Sequence, residues 1–230
     1  MNDAFKNKLS IYNILMKIGN LELIIYTDGS CYGNGKVDAV AGYGIHFPNN
    51  ELPDISAPLK IGPFTNNRAE LMAIKMALIK VIKYEKIHGN KFTKIKIHTD
   101  STYSLQSITK WADTWVKNDW KKGGKDIKNR DIIEPTYELY KYYQHKIEFI
   151  HVKAHTKGND YQSTHNDIVD KLANKGTQEA CLIKKTKLKL KNKKHEIDIY
   201  GNINKVSKKK RTSKKTKERV LKINFIDINK

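Results

Sequence analysis

"IYTDGSCYGNG", residues 25 to 35, decides how the chain is read. Just before it, Leu21, Leu23 and Ile25 alternate with Glu22, Ile24 and Tyr26, the period-two pattern of a strand with one buried face. The run reaches Asp28 and passes at once into Gly29, Gly33 and Gly35. A β-turn is the plain reading, since Asp-Gly is a common hairpin signal. The other reading is that Asp28 closes a strand where distant segments bring partners for a carboxylate.

Working outward, "AVAGYGIHF" (39–47) and "DISAPLKIG" (54–62) read as second and third strands, so three antiparallel strands are expected. "TNNRAELMAIKMALIKVIKYE" follows, with Thr65 or Asn66 as helix cap and Leu71, Ile74, Leu78 and Val81 at helical spacing. "KFTKIKIHTD" is a strand that ends in Asp100. Helical stretches are expected near 101–109 and 111–118, a Gly- and Lys-rich loop over "WKKGGKDIKNR", and a helix near 131–144. A strand at 146–152, a polar loop and a last helix at about 165–178 complete the order. This is an α/β chain: a mixed sheet with helices on its faces.

Two strands thus end in aspartate, Asp28 and Asp100. Glu70 lies in the first turn of its helix, on the inward stripe of Ile74, Ala77 and Leu78. An ionised carboxylate aimed inward is costly unless it is a ligand. Asp170 sits early in the last helix beside Val169, Leu172 and Ala173, with Asp167 one turn before it as a competitor. Four acids from four segments suit a hard divalent cation such as Mg²⁺.

The chain of 230 residues carries a net charge of +20, of which residues 181–230 hold +14. Such a tail suits a polyanion, most often nucleic acid. Its lysine density and few apolar anchors predict disorder. Cys31 and Cys181 form neither a metal spacing nor a disulfide framework, which points to a reducing compartment. No apolar run approaches 18 residues, and the N-terminus lacks a signal-peptide pattern. A soluble intracellular protein without membrane partners is expected, with cytoplasm or nucleus open. The Ile-, Lys-, Asn- and Tyr-rich composition suits an AT-rich genome, as in some protists and large DNA viruses.

Five motifs in order, "YTDGSCYGNG", "TNNRAELMAI", "IHTDSTYSLQSITKW", "VKAHTKG" and "NDIVDKLANKG", resemble the type 1 ribonuclease H family over about residues 21–178. The resemblance implies a ribonuclease H-like mixed five-stranded sheet. It also implies a monomeric endonuclease that hydrolyses the RNA strand of RNA–DNA hybrids, leaving 5′-phosphate and 3′-hydroxyl ends. The family uses two Mg²⁺ ions, with Mn²⁺ as an alternative. Carried over, Asp28, Glu70, Asp100 and Asp170 hold the metal, and an N-x-x-x-D pattern on Asn166 favours Asp170 over Asp167. His155 would assist proton transfer or product release, in place of the plain reading of an exposed loop histidine. His98, His151 and His165 are read as surface or structural residues.

The same resemblance assigns RNA-strand contacts to Asn34, Asn66 and Asn67, with the Gly29–Gly35 amides free to approach the substrate. Backbone capping is the alternative for these asparagines. Tyr103, Trp111 and Trp115 would line a channel for the DNA strand, although their spacing also fits a core stripe. Thr65 and Asn129 would hold a DNA phosphate, in a pocket where Pro63 stands at the position of the family's arginine. Lys117, Lys121, Lys122, Lys125 and Lys128 match a basic protrusion at about 111–129. The expected layout is a short leader (1–19), a catalytic domain (20–179) and a Lys-rich tail (180–230). The rivals are a hybrid-binding protein without catalysis and a DNA-directed nuclease of the same superfold.

Overall fold

The computed structural model describes residues 21–89, 92–153 and 160–208, with side chains up to residue 192. The main sheet holds β1 (Leu21–Tyr32), β2 (Val40–His46), β3 (Ile55–Pro58), β4 (Phe92–Thr99) and β7 (Ile147–His151), in the order β3-β2-β1-β4-β7. β1 pairs antiparallel with β2 and β2 with β3, whereas β4 pairs parallel with β1 and β7 parallel with β4. This is the expected mixed sheet of five strands.

Helix α1 (Asn66–His88) starts at Thr65, whose hydroxyl accepts a bond from the Arg68 amide, and stops at Gly89. Its stripe of Leu71, Ile74, Leu78 and Val81 is buried with Leu23, Ile25, Ile45 and Ile97 of the sheet. Helix α2 (Thr102–Gln106), a π-helical turn (Ser107–Trp111) and α3 (Ala112–Lys117) run on without a break, so the two expected helices are joined. The expected loop at 120–130 carries a small hairpin, β5 (Lys121–Lys122) with β6 (Lys125–Asp126), turning at Gly123 and Gly124. Helix α4 (Arg130–Tyr143) adds Ile132 and Ile133 to the core.

Two expectations are corrected. First, β1 does not end at Asp28. It stays paired with β2 through Tyr32, so Asp28 lies inside a strand and the turn comes only at Gly33–Asp38. The antiparallel partner outlasts the parallel one, whose pairing stops at Tyr26–His98. Second, the last helix, α5 (Tyr161–Lys208), is far longer than 165–178. The lysine-rich segment expected to lack structure is helical to Lys208. Lysine and leucine are good helix formers, and no proline interrupts them. The chain divides into two compact units between Lys184 and Lys185. No helix among the described residues is long and apolar enough to cross a membrane.

Helix α5 covers the face of the sheet opposite α1, so helices lie on both faces. It does so through glycines. A Cβ on Gly42 would come within 2.2 Å of the Thr177 amide, one on Gly44 within 2.5 Å of the Val169 carbonyl, and one on Gly176 within 2.5 Å of the Ala57 carbonyl. Nearer its start, α5 is clasped to β2: His46 Nε2 lies 2.9 Å from His165 Nδ1, and His46 Nδ1 lies 2.8 Å from Asp54. His165 is therefore structural, as is His98, which is buried and stacked on Tyr26.

Gly44→Ala is expected to destabilise the protein by about 1–3 kcal/mol, because helix and strand backbones must separate. Urea unfolding of the two proteins checks it. An unchanged midpoint would mean that the close contact is not maintained in solution.

Candidate active site

The site lies where β1 and β4 part. Parallel pairing sets Tyr26 opposite His98. Two residues further on stand Asp28, still in β1, and Asp100, just past the end of β4, so the parallel register brings the two carboxylates to the same end of the strand pair. Asp28 is buried, 8% exposed, and its Oδ1 accepts a 2.7 Å bond from the Gly29 amide. Asp100 is half-buried, and its carbonyl lies 3.2 Å from His151 Nε2.

Glu70 arrives from α1. Its Oε1 accepts a 2.7 Å bond from the Asn66 amide group, and its Oε2 accepts one from the Ser101 hydroxyl. Ser101 also caps α2 through the Ser104 amide. Gly29 lets α1 come this close, since a Cβ there would sit 2.1 Å from the Glu70 nitrogen. This glycine therefore serves packing inside the molecule. Asp170 arrives from α5, half-buried, with its Oδ1 3.1 Å from Asn174 Nδ2. Asp167 on the same helix is exposed.

Electrostatics tie the four together. Burial pushes the Asp28 carboxyl up to about 8, and the neighbouring charges of Asp100, Asp170 and Glu70 add to it against the Gly29 bond. Burial also raises Glu70, opposed by its bond from Ser101. Asp28 is thus a carboxylate short of positive charge. The donors are oxygen only, the set that hard divalent cations prefer, and Mg²⁺ needs few protein ligands because it keeps its waters. Among the described residues, no three acid, histidine or cysteine side chains close into a cage by themselves. The four acids still fit such an ion in donor type and charge.

The remaining candidates occupy two regions. Asn34 accepts a 3.3 Å bond from the Asn66 amide, and Asn67 is exposed beside it. The Asn66 side chain is already committed to Glu70. On the other side, Tyr103, Trp111, Trp115 and Trp120 form a chain of ring contacts with centroids 5.8–6.3 Å apart. Trp115 packs on the core while Trp111 remains 37% exposed. An open groove of about 850 Å³ lies between Trp111, Trp115, Lys117 and the Lys122–Gly124 turn. Lys117, Lys121, Lys122, Lys125 and Lys128 are exposed.

Asn129 begins α4 without capping it. Its amide group donates to the Tyr103 hydroxyl at 3.1 Å, and its carbonyl lies 3.4 Å from Arg68. Arg68 is buried and bound to Asp131 by two bonds of 2.6 and 2.7 Å. It holds the Asp131 carboxyl below the usual carboxylate range. Thr65 stands one turn before Arg68. His155 lies outside the described residues.

Sequence reasoning missed Ser101, Arg68, Asn174 and the buried Trp120. Only Ser101 left a local trace, as a helix cap directly after an aspartate.

A profile of the family described as RNase H matches residues 20–178. "Probable ribonuclease H" of Acanthamoeba polyphaga mimivirus is 47% identical over 158 residues, covering 67% of this chain and 66% of that protein. Ribonuclease H of Schizosaccharomyces pombe is 39% identical over 157 residues, 68% of this chain and 53% of that one. The chain therefore spans from about half to two thirds of the length of these relatives. Ribonuclease H of Clostridium botulinum is 37% identical over 161 residues and matched over 97% of its length. Among solved structures, the PFV RNase H domain matches with a TM-score of 0.55 and 27% identity, over 70% of this chain and 98% of that one. With the family profile matching residues 20–178, the chain belongs to the ribonuclease H family.

One prediction concerns the metal-free protein. The Asp28 proton affinity is raised on folding, so its contribution to stability is full in acid and is lost as pH rises toward about 8. Asp28→Asn in EDTA should therefore melt higher than the parent at pH 8.5, by on the order of 5 °C, with the gap closing near pH 4. A gap independent of pH would contradict this origin.

Proposed function

We propose that residues 20–179 form the catalytic domain of an endonuclease that hydrolyses the RNA strand of RNA–DNA hybrids. The observation that carries the reading is the set of four acids around a buried Asp28, in a chain of the ribonuclease H family. Net reaction adds water across a phosphodiester bond, leaving a 5′-phosphate and a 3′-hydroxyl. Asp28, Glu70, Asp100 and Asp170 would hold two divalent cations, which supply an acidified water and offset charge on the leaving oxygen. Ser101 and Asn66 fix the Glu70 carboxylate from both sides, so it needs little rearrangement to serve as a ligand. His155 keeps the role the family resemblance gives it, in proton transfer or product release.

Hybrid recognition divides between the two regions. Asn34, Asn67 and the amides of the Gly33–Asp38 turn face the RNA strand, where 2′-hydroxyls distinguish RNA from DNA. Trp111 and the lysine-rich hairpin face the DNA strand, combining an aromatic surface with cationic contacts to phosphate. Thr65 and Asn129 hold a DNA phosphate, with Arg68 bonded to the Asn129 side chain.

Incubation with Mg²⁺ and a defined RNA–DNA hybrid, beside single-stranded RNA, double-stranded RNA and duplex DNA, tests the reading. Cleavage confined to the RNA strand of the hybrid, and lost in Asp100→Asn, is expected. Cleavage of duplex DNA instead would overturn it. Removing residues 185–230 should weaken hybrid binding and flatten its salt dependence, because those residues carry much of the excess charge. Equal affinities for full-length and shortened protein across 50–200 mM salt would exclude a binding role for the tail.

A further inference from the structure

The strand that carries Asp28 and the helix that carries Asp170 are tied by a short relay outside the carboxylate cluster. Ser30 lies two residues beyond Asp28, on the same face of β1. Its hydroxyl donates to Asn174 Oδ1 at 2.6 Å. The amide nitrogen of Asn174 then donates to Asp170 Oδ1 at 3.1 Å, one turn back along α5. A second bond crosses the same gap, from the Thr177 hydroxyl to the Ser30 carbonyl at 2.9 Å.

The chemistry of the relay runs one way. The Asp170 carboxylate only accepts, so Asn174 must turn its NH₂ toward it, which leaves the Asn174 carbonyl for the Ser30 hydroxyl. Without Ser30 the Asn174 side chain loses its second anchor and is free to swing away from Asp170. The relay therefore does two things: it holds one Asp170 rotamer, and it places a neutral donor, not another charge, beside an acid already crowded by its neighbours. The backbone contacts of α5 at Gly42 and Gly44 keep Asn174 within reach of β1.

We propose that Asn174 is a positioning residue for Asp170 and that Ser30 orients it. Together they set the geometry in which Asp28 and Asp170 receive a divalent cation. The inference rests on the reading of the acids as metal ligands. A partner bonded to a ligand from outside orients it, and its loss typically weakens metal binding by about 10-fold or more. Asn174 is exposed, so its replacement leaves the core intact.

The test is the Mg²⁺ concentration that gives half of the maximal thermal shift, measured without substrate for the parent, Asn174→Ala, Ser30→Ala, Ser30→Thr and Asp28→Asn. Asn174→Ala is expected to raise that midpoint by about 10-fold, with little change in melting temperature in EDTA. Ser30→Ala should move it in the same direction by less. Ser30→Thr keeps a hydroxyl and should restore the parent value. Asp28→Asn should abolish the Mg²⁺ shift, which checks the acids themselves. Loss of the shift in Asp28→Asn with unmoved midpoints in Asn174→Ala and Ser30→Ala would overturn the relay alone. A full shift in Asp28→Asn would overturn both. A fall in melting temperature in EDTA at an unchanged Mg²⁺ midpoint would assign Asn174 a purely structural role and also overturn the proposal.

Discussion

Parallel pairing of β1 with β4 is the constraint on which the site depends. Side-by-side strands with Tyr26 opposite His98 bring Asp28 and Asp100 to the same end of the pair. Two carboxylates so placed repel, and burial of one of them makes the repulsion stronger. Every other element at the site answers that arrangement. Helix α1 reaches it through Gly29, Ser101 and Asn66 hold Glu70 against it, and α5 brings Asp170 to its open side.

A second set of contacts joins the acids to the far side of the molecule. Arg68, two residues from Glu70, pairs with Asp131 and reaches Asn129, which in turn bonds Tyr103 next to Trp111. A guanidinium 3% exposed could not be accommodated without such a bidentate partner. The start of α1 and the start of α4 are therefore locked to each other. The groove at Trp111 and the carboxylates behind Glu70 share one rigid support.

Much of this was legible in the sequence where the signal is local. Alternation and helical spacing located every strand of the sheet and the inward stripe of Leu71, Ile74 and Leu78. The acids stood out because each falls at or near the end of such a run. What was not legible is what depends on pairing. The end of β1 is set by β2, which holds it to Tyr32 after β4 has left, so the turn was placed too early. Gly42 and Gly44 of β2 drew no expectation of their own, and only the position of α5 shows why they carry no side chain. Ser30 and Asn174 are 144 residues apart and share no periodicity. Helix α5 ran past its expected end because charge density alone argued for disorder, while local helix propensity favoured continuation.

The glycine seam between α5 and β2 has a consequence for how finely the site is held. Where most layers meet through interlocking side chains, these two meet main chain to main chain at Gly42, Gly44 and Gly176. There are no rotamers to freeze at those points, so their assembly costs backbone entropy alone. There is also no torsional slack through which the helix could drift. At this seam, the separation of β2, which is paired with the strand bearing Asp28, from the helix bearing Asp170 is set by atomic radii, not by the choice among side-chain conformers.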